Sequence, residues 1–394
     1  MNKYRIIFSK KMASAIFSLL FKYIPVYLFS LTCKRKEQLW LIAERKDDAR
    51  DNGIILFRYL RKTHPEINVY YAINFKSIDY QKVKHLGNFI NWGSYRHYYF
   101  YFVSTILCGT GFDICSPNSY ESAMMKKLLP TKAKRVFLQH GITKDALPQA
   151  VKSKLGVQLF VCGAFPEYEY ISKHFGYSNN EVKYLGFARF DNLENTISKN
   201  LILYMPTWRL WLNNSNFEES NYYSGIVSFI SSKALQNILD EYNAEFIFFI
   251  HPAIRDKKNH FMQFNTNRIH IFNNNDIDLQ VLLKSSKLLI TDFSSVFFDF
   301  AYLGKPLIYY QFDREEFRKK HYPTGYFDYE RDGFGPVVDN FNSLIDNIKI
   351  IVKNNWLIGD IYSRRIDRFF PYRDKNNCKR HYEELCKLDG LKIQ

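Results

Sequence analysis

Short apolar runs that alternate with helical stretches from residue 38 onward limit the possible folds of this chain more than any other feature. Each run is five to seven residues long and bounded by polar turns, which is typical of strands buried on both faces of a parallel sheet. A first series comprises QLWLIAE (38–44), INVYYAI (67–73), TILCGT (105–110), RVFLQH (135–140) and QLFVCG (158–163). A second comprises LILYM (201–205), EFIFFIH (245–251), RIHIF (268–272), KLLIT (287–291) and PLIYYQ (306–311).

The two series predict an α/β protein made of two doubly wound, Rossmann-like domains that face each other across a cleft. The polar stretch ARFDNLENTISKN (188–200) interrupts the pattern and is the candidate linker. We therefore expect an N-terminal domain over 37–190 and a C-terminal domain over 191–394, the latter closed by helices between about 342 and 388. Residues 1–36 form a separate segment.

The net charge indicates an anionic partner, because the 394 residues carry 55 Lys and Arg against 39 Asp and Glu, a formal charge of +16. The first 36 residues hold eight bases and no acid, whereas the rest of the chain holds 47 bases and 39 acids. This is not the distributed basic face of a nucleic-acid-binding protein, so we expect no nucleic-acid partner. The eight bases are Lys3, Arg5, Lys10, Lys11, Lys22, Lys34, Arg35 and Lys36.

The apolar stretch over 12–32 resembles a signal peptide or a membrane span at first sight. Lys22 and Pro25 interrupt it, and a basic cluster rather than a small-residue cleavage site follows Cys33. We interpret 1–36 as a basic, aromatic segment that contacts an anionic membrane surface peripherally. The alternative is a helix that packs on the fold or takes part in an oligomer contact.

The cysteines and carboxylates predict neither disulfides nor a metal site. None of the six cysteines forms a C-x-x-C pair, which is consistent with reduced thiols in a cytosolic protein. Asp276 and Asp278 match a D-x-D pattern, but they lead into a helix, where acids favour the first turn. We therefore expect no metal and no cofactor.

Polar clusters follow four of the predicted strands. Open α/β sheets bind ligands at the carboxyl ends of their strands, so four such clusters together are stronger evidence than one. They are LQHG (138–141), YMPTWR (204–209), HP (251–252) and TDFSS (291–295).

The TDFSS turn is a candidate phosphate site. It lies between a strand and a predicted helix over 296–303, and N–H groups at a helix N-terminus favour phosphate. The alternative is that Asp292 or Ser294 only caps the helix. The candidate ligands of the phosphate are Thr291, Asp292, Ser294 and Ser295.

Two residues of YMPTWR extend this prediction. Arg209 has a planar fork that suits phosphate oxygens, and Thr207 has a hydroxyl donor. The alternative for Arg209 is a salt bridge beside a packed Trp208.

His140 and His251 each end a strand and precede a residue that breaks it, Gly141 or Pro252. That position directs the side chain away from the sheet, and histidine is the natural general base for a hydroxyl nucleophile. The alternative is a hydrogen-bonded residue at the rim of the core.

The segment ERKDDARDNG (44–53) ends the first strand and opens a helix. This segment offers four candidate residues for binding a polyol acceptor: Asp48, Arg50, Asp51 and Asn52. Helix capping explains part of this pattern without a ligand.

These motifs, taken in order, resemble the bacterial CDP-glycerol glycerophosphotransferase family, which builds teichoic acids and related phosphopolyol capsules. The resemblance runs from about Leu39 to Tyr372. Two positions depart from the family pattern: Gln139, where many members have an aromatic residue, and Ala188, which is often Pro. The motifs are DDARDNG (47–53), LQHGITKD (138–145), GFARFDNL (186–193), YMPTWR, FIHP (249–252) and ITDFSSVFFDFAYLGKPLIYYQFD (290–313).

The resemblance implies a GT-B fold, peripheral attachment to the cytoplasmic face of the membrane, and a metal-independent reaction. Glycerol phosphate would pass from CDP-glycerol to a hydroxyl of a lipid-linked or polymeric acceptor, with release of CMP. In that reaction His140 would be the general base, and His251 would stabilise charge on the donor pyrophosphate. Ser294, Ser295 and their turn would hold the donor phosphates, helped by Arg209. The N-terminal domain would then be the acceptor domain and the C-terminal domain the CDP-donor domain.

Three alternatives remain open from the sequence. The first is a CDP-ribitol phosphotransferase, and the second is a GT-B glycosyltransferase that uses a nucleotide sugar. The third is a non-catalytic module that binds polyol phosphate. An oligomer is also compatible with the sequence.

Overall fold

The chain divides into two compact units in the computed structural model, which describes residues 14–33, 38–125, 128–196, 200–212, 216–273, 276–320 and 323–392. The first unit holds the described residues up to His140, together with Pro148–Asp191 and the residues from Asp374 onward. The second unit holds Gly141–Leu147 and Asn192–Arg373. Each unit contains one parallel sheet, so the predicted pair of α/β domains is confirmed.

The sheet of the first unit has seven parallel strands in the order β3-β2-β1-β4-β5-β6-β7. All five strands predicted for this half are present, and the sequence missed the two edge strands. Each missed strand has only three residues, too few to show a pattern of burial. The strands are β1 (Leu39–Ala43), β2 (Asn68–Ile73), β3 (Phe89–Asn91), β4 (Ile106–Gly109), β5 (Lys134–Phe137), β6 (Leu159–Cys162) and β7 (Val182–Tyr184).

The sheet of the second unit has six parallel strands in the order β10-β9-β8-β11-β12-β13. The five predicted strands are again present, and the two-residue edge strand was missed. The sheet order changes direction between β8 and β11, which is where doubly wound sheets bind ligands. The strands are β8 (Asn200–Met205), β9 (Ala244–Phe249), β10 (Ile269–Phe272), β11 (Leu288–Thr291), β12 (Leu307–Tyr310) and β13 (Val337–Val338).

Fifteen helices are described. They are α1 (Ser14–Thr32), α2 (Asn52–Thr63), α3 (Ile78–Val83), α4 (Tyr95–Val103), α5 (Ser119–Met125), α6 (Phe165–His174), α7 (Asn221–Ile230), α8 (Lys233–Glu241), α9 (Leu279–Ser285), α10 (Val296–Tyr302), α11 (Arg314–Lys320), α12 (Tyr329–Asp332), α13 (Phe341–Lys353), α14 (Asp360–Phe369) and α15 (Asn377–Asp389). Short 3-10 segments, among them Ala188–Asn192 and Pro252–His260, supplement them.

The last helix, α15, packs on the first unit, although the sequence assigned the C-terminal helices to the second domain. Tyr382 and Leu385 are buried in the same apolar cluster as Phe57 of α2. At the end of the helix, Asp389 Oδ2 accepts hydrogen bonds from Trp40 Nε1 at 2.8 Å and from Thr105 Oγ1 at 2.9 Å. Sequence order alone gives no sign of this return, because it depends on contacts between distant residues.

The predicted linker over 188–200 is only partly a linker. Phe187 and Phe190 are fully buried in the first unit, and Arg189 between them is 6% exposed. The GFARFDNL motif thus forms a packed 3-10 turn, and the chain passes to the second unit after Asp191. The polar residues of this motif indicated an exposed linker, but they make buried hydrogen bonds.

The N-terminal helix α1 contacts α4 on one side and exposes apolar side chains on the other. Tyr23 is buried against Phe102, and Lys22 Nζ donates to the carbonyl of Gly93 at 2.8 Å. By length and composition α1 could cross a membrane, and no other helix of the described ranges meets both criteria. Of the eight N-terminal bases, all except Lys22 lie outside the described residues. The exposed apolar side chains are Ile16, Phe17, Leu20, Phe21, Leu28, Phe29 and Leu31.

Replacing Leu385 with Ala should destabilise the first unit by about 2–5 kcal/mol, because it leaves a cavity in the apolar cluster below α15. Hydrogen exchange of the β1 amides, followed through urea unfolding, measures this loss. The matched control Leu357→Ala removes an exposed side chain and should change stability by less than about 0.5 kcal/mol. Unchanged protection of β1 in Leu385→Ala would contradict the docking of α15 on this unit.

Candidate functional site

His140 contacts the carboxylate of Asp51 in the first unit. Nδ1 of His140, just beyond β5, contacts Oδ2 of Asp51, whose other oxygen accepts from the backbone N–H of Asn52 at 2.8 Å. The His140 side chain is 67% exposed, whereas that of Asp51 is 11% exposed. A buried carboxylate therefore holds an accessible imidazole through one nitrogen.

Arg189 completes this arrangement from the opposite side. Its Nη1 donates to Asp51 Oδ1 at 2.9 Å and to the carbonyl of His140 at 3.1 Å. Burial raises the pKa of Asp51, but the charges of His140 and Arg189 and the hydrogen bonds to the carboxylate outweigh it, so the pKa lies below its ordinary value. An ionised Asp51 can only accept a hydrogen bond, which places the proton of His140 on Nδ1 and leaves Nε2 as the acceptor. This is the tautomer that a general base requires.

Glu44 holds the loop that presents Asp51. Its buried carboxyl group, just beyond β1, accepts from the backbone N–H groups of Arg50 at 2.9 Å, Asp51 at 3.1 Å and Ile54 at 2.8 Å. Burial and the nearby charge of Asp51 raise the pKa of Glu44 to about 8. At Gly53 an added Cβ would lie 3.0 Å from Glu44 Cγ, so this close approach favours glycine.

Asn52 makes its hydrogen bonds within the protein. This residue is fully buried, and its Nδ2 donates to the carbonyls of Leu138 at 3.2 Å and Gln139 at 2.9 Å. Its amide therefore ties α2 to the strand end that carries His140, and its acceptor-binding role stays a prediction.

The acceptor-binding roles of Asp48 and Arg50 stay predictions. Arg50 Nε donates to Asp79 Oδ2 at 2.5 Å, and its side chain is 29% exposed. Asp48 is half-buried, and its carbonyl accepts from Tyr71 Oη at 3.1 Å.

In the second unit, the first two residues of the TDFSS turn are structural. Thr291 is fully buried and donates through Oγ1 to the carbonyl of Met205 at 2.7 Å. Asp292 is 1% exposed, and its Oδ1 accepts from the N–H of Thr207 at 2.7 Å. Both side chains are used to join the ends of β8 and β11, and the phosphate ligation expected of Thr291 and Asp292 stays a prediction. Ser294 is half-buried and Ser295 is exposed, which leaves these two hydroxyls for a ligand.

Arg209 is the centre of a buried ion network, and its predicted contact with phosphate stays a prediction. Its side chain has no exposed surface. Nε and Nη2 donate to the two oxygens of Asp313 at 2.6 and 2.7 Å, and Nη2 also donates to Asp292 Oδ2 at 2.8 Å. Phe317, 4.9 Å from the guanidinium carbon, packs on the same group. Nη1 donates to the carbonyl of Thr207 at 2.5 Å, so the guanidinium makes four hydrogen bonds to protein groups, as in the salt-bridge alternative.

Thr207 lies beside this network. It is 8% exposed, and its Oγ1 is buried and makes no hydrogen bond to the described residues. The hydroxyl is therefore enclosed in this conformation, and its predicted use by a phosphate ligand stays a prediction.

His251 is half-buried at the end of β9 and begins the 3-10 segment Pro252–His260. Its Nδ1 accepts from the N–H of Ala253 at 3.2 Å, and its ring stacks on Trp208 with centroids 6.4 Å apart. An Nδ1 that accepts carries no proton, so the neutral ring has its proton on Nε2. His251 is therefore set up as a donor, the opposite of His140.

The segment that follows His140 belongs to the second unit. An added Cβ on Gly141 would lie 2.9 Å from Ser295 Oγ, so the glycine permits a close approach to the TDFSS turn. Lys144 pairs with Asp145, which in turn binds Arg318 Nη1 at 3.2 Å. Burial lowers the pKa of Lys144. These charged residues of the second unit were not among the predicted site residues.

Sequence reasoning also missed Glu44 and Arg189, and it did not assign Asp51 to His140. Both Asp51 and Arg189 lie within motifs that carried the family resemblance, DDARDNG and GFARFDNL. Their place in these motifs was the one sign in the sequence that could have identified them as site residues. Within the described ranges no three His, Cys, Asp or Glu side chains form a group that could hold a metal ion, and metal independence stays a prediction.

Comparison with known proteins supports the resemblance. A family model described as CDP-Glycerol:Poly(glycerophosphate) glycerophosphotransferase matches residues 25–387. The minor teichoic acid biosynthesis protein GgaB of Bacillus subtilis is 33% identical over 399 residues, which cover 98% of this chain and 43% of that protein. A teichoic acid poly(ribitol-phosphate) polymerase of Bacillus spizizenii is 31% identical over 160 residues, 38% of this chain and 22% of the polymerase. The chain thus spans less than half the length of these relatives.

A solved structure confirms the predicted GT-B-like fold. The wall teichoic acid polymerase TagF, in a histidine variant soaked with CDPG, aligns with a TM-score of 0.65 and 17% identity, and the alignment covers 97% of each chain. At this identity the similarity concerns the fold alone.

Replacing Arg209 with Met should destabilise the second unit by about 3–5 kcal/mol, because Asp292 and Asp313 would remain buried without their cation. Urea unfolding, with hydrogen exchange of the β11 amides as the local probe, measures this effect. The control Arg314→Met removes an exposed arginine of the same unit and should change stability by less than about 0.5 kcal/mol. Unchanged stability together with weaker nucleotide binding would instead support the predicted direct contact of Arg209 with phosphate.

Proposed function

Because the chain belongs to the CDP-glycerol:poly(glycerophosphate) glycerophosphotransferase family, we propose that it transfers glycerol phosphate from CDP-glycerol to an acceptor hydroxyl and releases CMP. The acceptor in this proposal is a lipid-linked or polymeric polyol phosphate or glycan. The contact of His140 Nδ1 with the buried Asp51 carboxylate carries the proposal, because it prepares Nε2 to receive a proton.

His140 acts as the general base in this reaction. The acceptor hydroxyl gives its proton to Nε2 and attacks the phosphorus that bears glycerol, forming a new P–O bond. The P–O bond to the bridging oxygen breaks, and CMP leaves with that electron pair. Asp51 and Arg189 keep the imidazole oriented and stabilise the imidazolium that forms, as the carboxylate does in other His–Asp pairs.

The donor phosphates bind to groups of the second unit. Ser294 and Ser295 supply hydroxyls at the start of α10, and the Nε2–H of His251 donates to the oxygen on which charge develops. Arg209 acts indirectly, since its ion pairs with Asp292 and Asp313 fix the turn that carries the two serines. No step is assigned to a metal ion.

The exposed apolar side of α1 supports peripheral attachment to the cytoplasmic face of an anionic membrane. Phe17, Phe21 and Phe29 are each more than half exposed on this helix. Aromatic side chains of this kind insert at the level of the lipid headgroups, and the basic N-terminal segment adds attraction to anionic lipids.

A CDP-ribitol donor is the second candidate function, and the similarity to a poly(ribitol-phosphate) polymerase favours it. The proposed chemistry at phosphorus is the same for either polyol. A nucleotide-sugar transferase and a non-catalytic binding module remain as outcomes of the activity test.

His140→Ala should reduce turnover about 10²–10⁴-fold, the usual contribution of a general base. The assay measures CMP released from CDP-glycerol in the presence of a lipid-linked acceptor, and product size separates one transferred unit from many. His174→Ala, which removes an exposed histidine of the same unit, is the control and should leave the rate unchanged.

The donor range tests the rest of the proposal. Faster CMP release from CDP-ribitol would assign the second candidate, and UDP release from a UDP-sugar would identify a glycosyltransferase. Binding of polyol phosphate without nucleotide release would identify a binding module. Near-normal activity of His140→Ala with CDP-glycerol would remove His140 as the base.

Replacing both Phe21 and Phe29 with Ser should weaken binding to vesicles of phosphatidylglycerol by about tenfold or more, because two exposed aromatic groups no longer enter the interface. Sedimentation of the protein with vesicles measures binding, which should also weaken in high salt. The control Ile350→Ser removes an exposed apolar side chain of the second unit and should have no effect. Equal binding of the double variant and the unmodified protein would exclude α1 as the contact.

A further inference from the structure

Gln139, directly before His140, has an unusual backbone conformation. Its φ is +59°, in the left-handed region that few residues other than glycine adopt, and it is 1% exposed. Such a conformation persists only where the surroundings hold it, and it occurs often next to functional groups. The question is therefore what holds Gln139 and what its conformation does for His140.

The side chain of Gln139 supplies the restraint. Its Nε2 donates to the carbonyl of Val161 in β6 at 2.6 Å and to Glu167 Oε1 in α6 at 3.0 Å. Its own carbonyl accepts from Asn52 Nδ2 at 2.9 Å. Gln139 is thus fixed at both its side chain and its backbone.

Glu167 is itself held firmly. It is fully buried, and its Oε2 accepts from the N–H of Gly163 at 2.7 Å, at the turn that leads into α6. The chain of hydrogen bonds therefore runs from this turn through Glu167 to Gln139, the residue bonded to His140.

We propose that Gln139 is the positioning residue of His140, with Glu167 as its anchor. The amide holds the left-handed backbone, and this backbone turns the chain out of the line of β5 so that His140 Nδ1 meets Asp51. An amide suits this place because a single NH2 group donates to two acceptors that are already fixed. Only the expected effect of Gln139 on catalysis rests on the proposed function. The orientation of His140 can be measured without an activity assay.

The competing explanation is that Gln139 merely fills its site and satisfies buried acceptors. Gln139→Gly separates the two explanations, because glycine adopts positive φ without strain but cannot hold it. If Gln139 positions His140, kcat should fall about 10–100-fold while KM changes little, since a small misplacement of a catalytic group has effects of this size. If it only fills space, kcat should stay within about twofold once folding is confirmed.

Asn88→Gly is the matched control. Asn88 also has a positive φ, +57°, and its Nδ2 also donates to a strand carbonyl, that of Val69 at 3.1 Å. It lies in the same unit, directly before β3, and the variant should keep the kcat of the unmodified protein. A lower kcat in both Gln139→Gly and Asn88→Gly would show a general effect on the sheet and overturn the proposal.

Exchanging the side chains of Gln139 and Glu167 tests whether kcat can be rescued. Gln139→Glu places two carboxylates against each other and should lower kcat. Adding Glu167→Gln restores one donor and one acceptor between the two side chains, so kcat should recover at least in part. No recovery in the double variant, with both proteins folded, would remove Glu167 as the anchor.

The ring nitrogen signals of His140 in nuclear magnetic resonance spectra give a readout that does not depend on activity. In the unmodified protein we expect the pattern of a single neutral tautomer, with the proton on Nδ1 facing Asp51. In Gln139→Gly we expect the two nitrogen signals to move toward each other, because the contact with the Asp51 carboxylate weakens and both tautomers become populated. Unchanged signals and an unchanged kcat would overturn the proposal. Changed signals in a protein whose His140→Ala variant stays active would retain the positioning of His140 and instead reject its role as the base.

Discussion

The ionised carboxylate of Asp51 is the charge on which the first unit's site depends. It is buried, yet it stays ionised because His140 and Arg189 contact it from two sides and the N–H of Asn52 donates to it. One ionised group thereby selects the tautomer of His140 and holds Arg189 against the His140 carbonyl. Burying such a charge is unfavourable unless it is fully paired, which explains why so many polar groups converge on this strand end.

The second unit also depends on a buried charge, but there the charge is positive. There a buried cation, Arg209, is neutralised by Asp292 and Asp313, and the two strand ends that carry these carboxylates are fixed relative to each other. The serines that follow Asp292 are left accessible by this arrangement. In both units, a paired buried charge sets the position of exposed groups next to it, so the residues that hold this part of the structure and those that stay accessible are different.

Much of the fold could be predicted from local pattern. Ten strands were predicted from their apolar runs, and only the edge strands β3, β7 and β13, of two or three residues, gave too little signal. The site was harder to predict. His140, Ser294 and Ser295 lie where the motifs placed them, but Arg209 and Asn52 carry the same polar groups whether they bind a ligand or the protein. Sequence shows which groups are available, and burial decides which remain accessible.

The sequence by itself determined the two parallel sheets, the strand ends that carry the polar motifs and the family to which the chain belongs. Periodicity and motif order are local properties, so they can be read without knowing distant contacts. Tertiary structure alone decided that Asp51 and Arg189 meet His140, that α15 returns to the first unit, and that Arg209 is enclosed by Asp292 and Asp313. Each of these depends on residues far apart in the chain, whose approach is fixed by packing rather than by any pattern along the sequence.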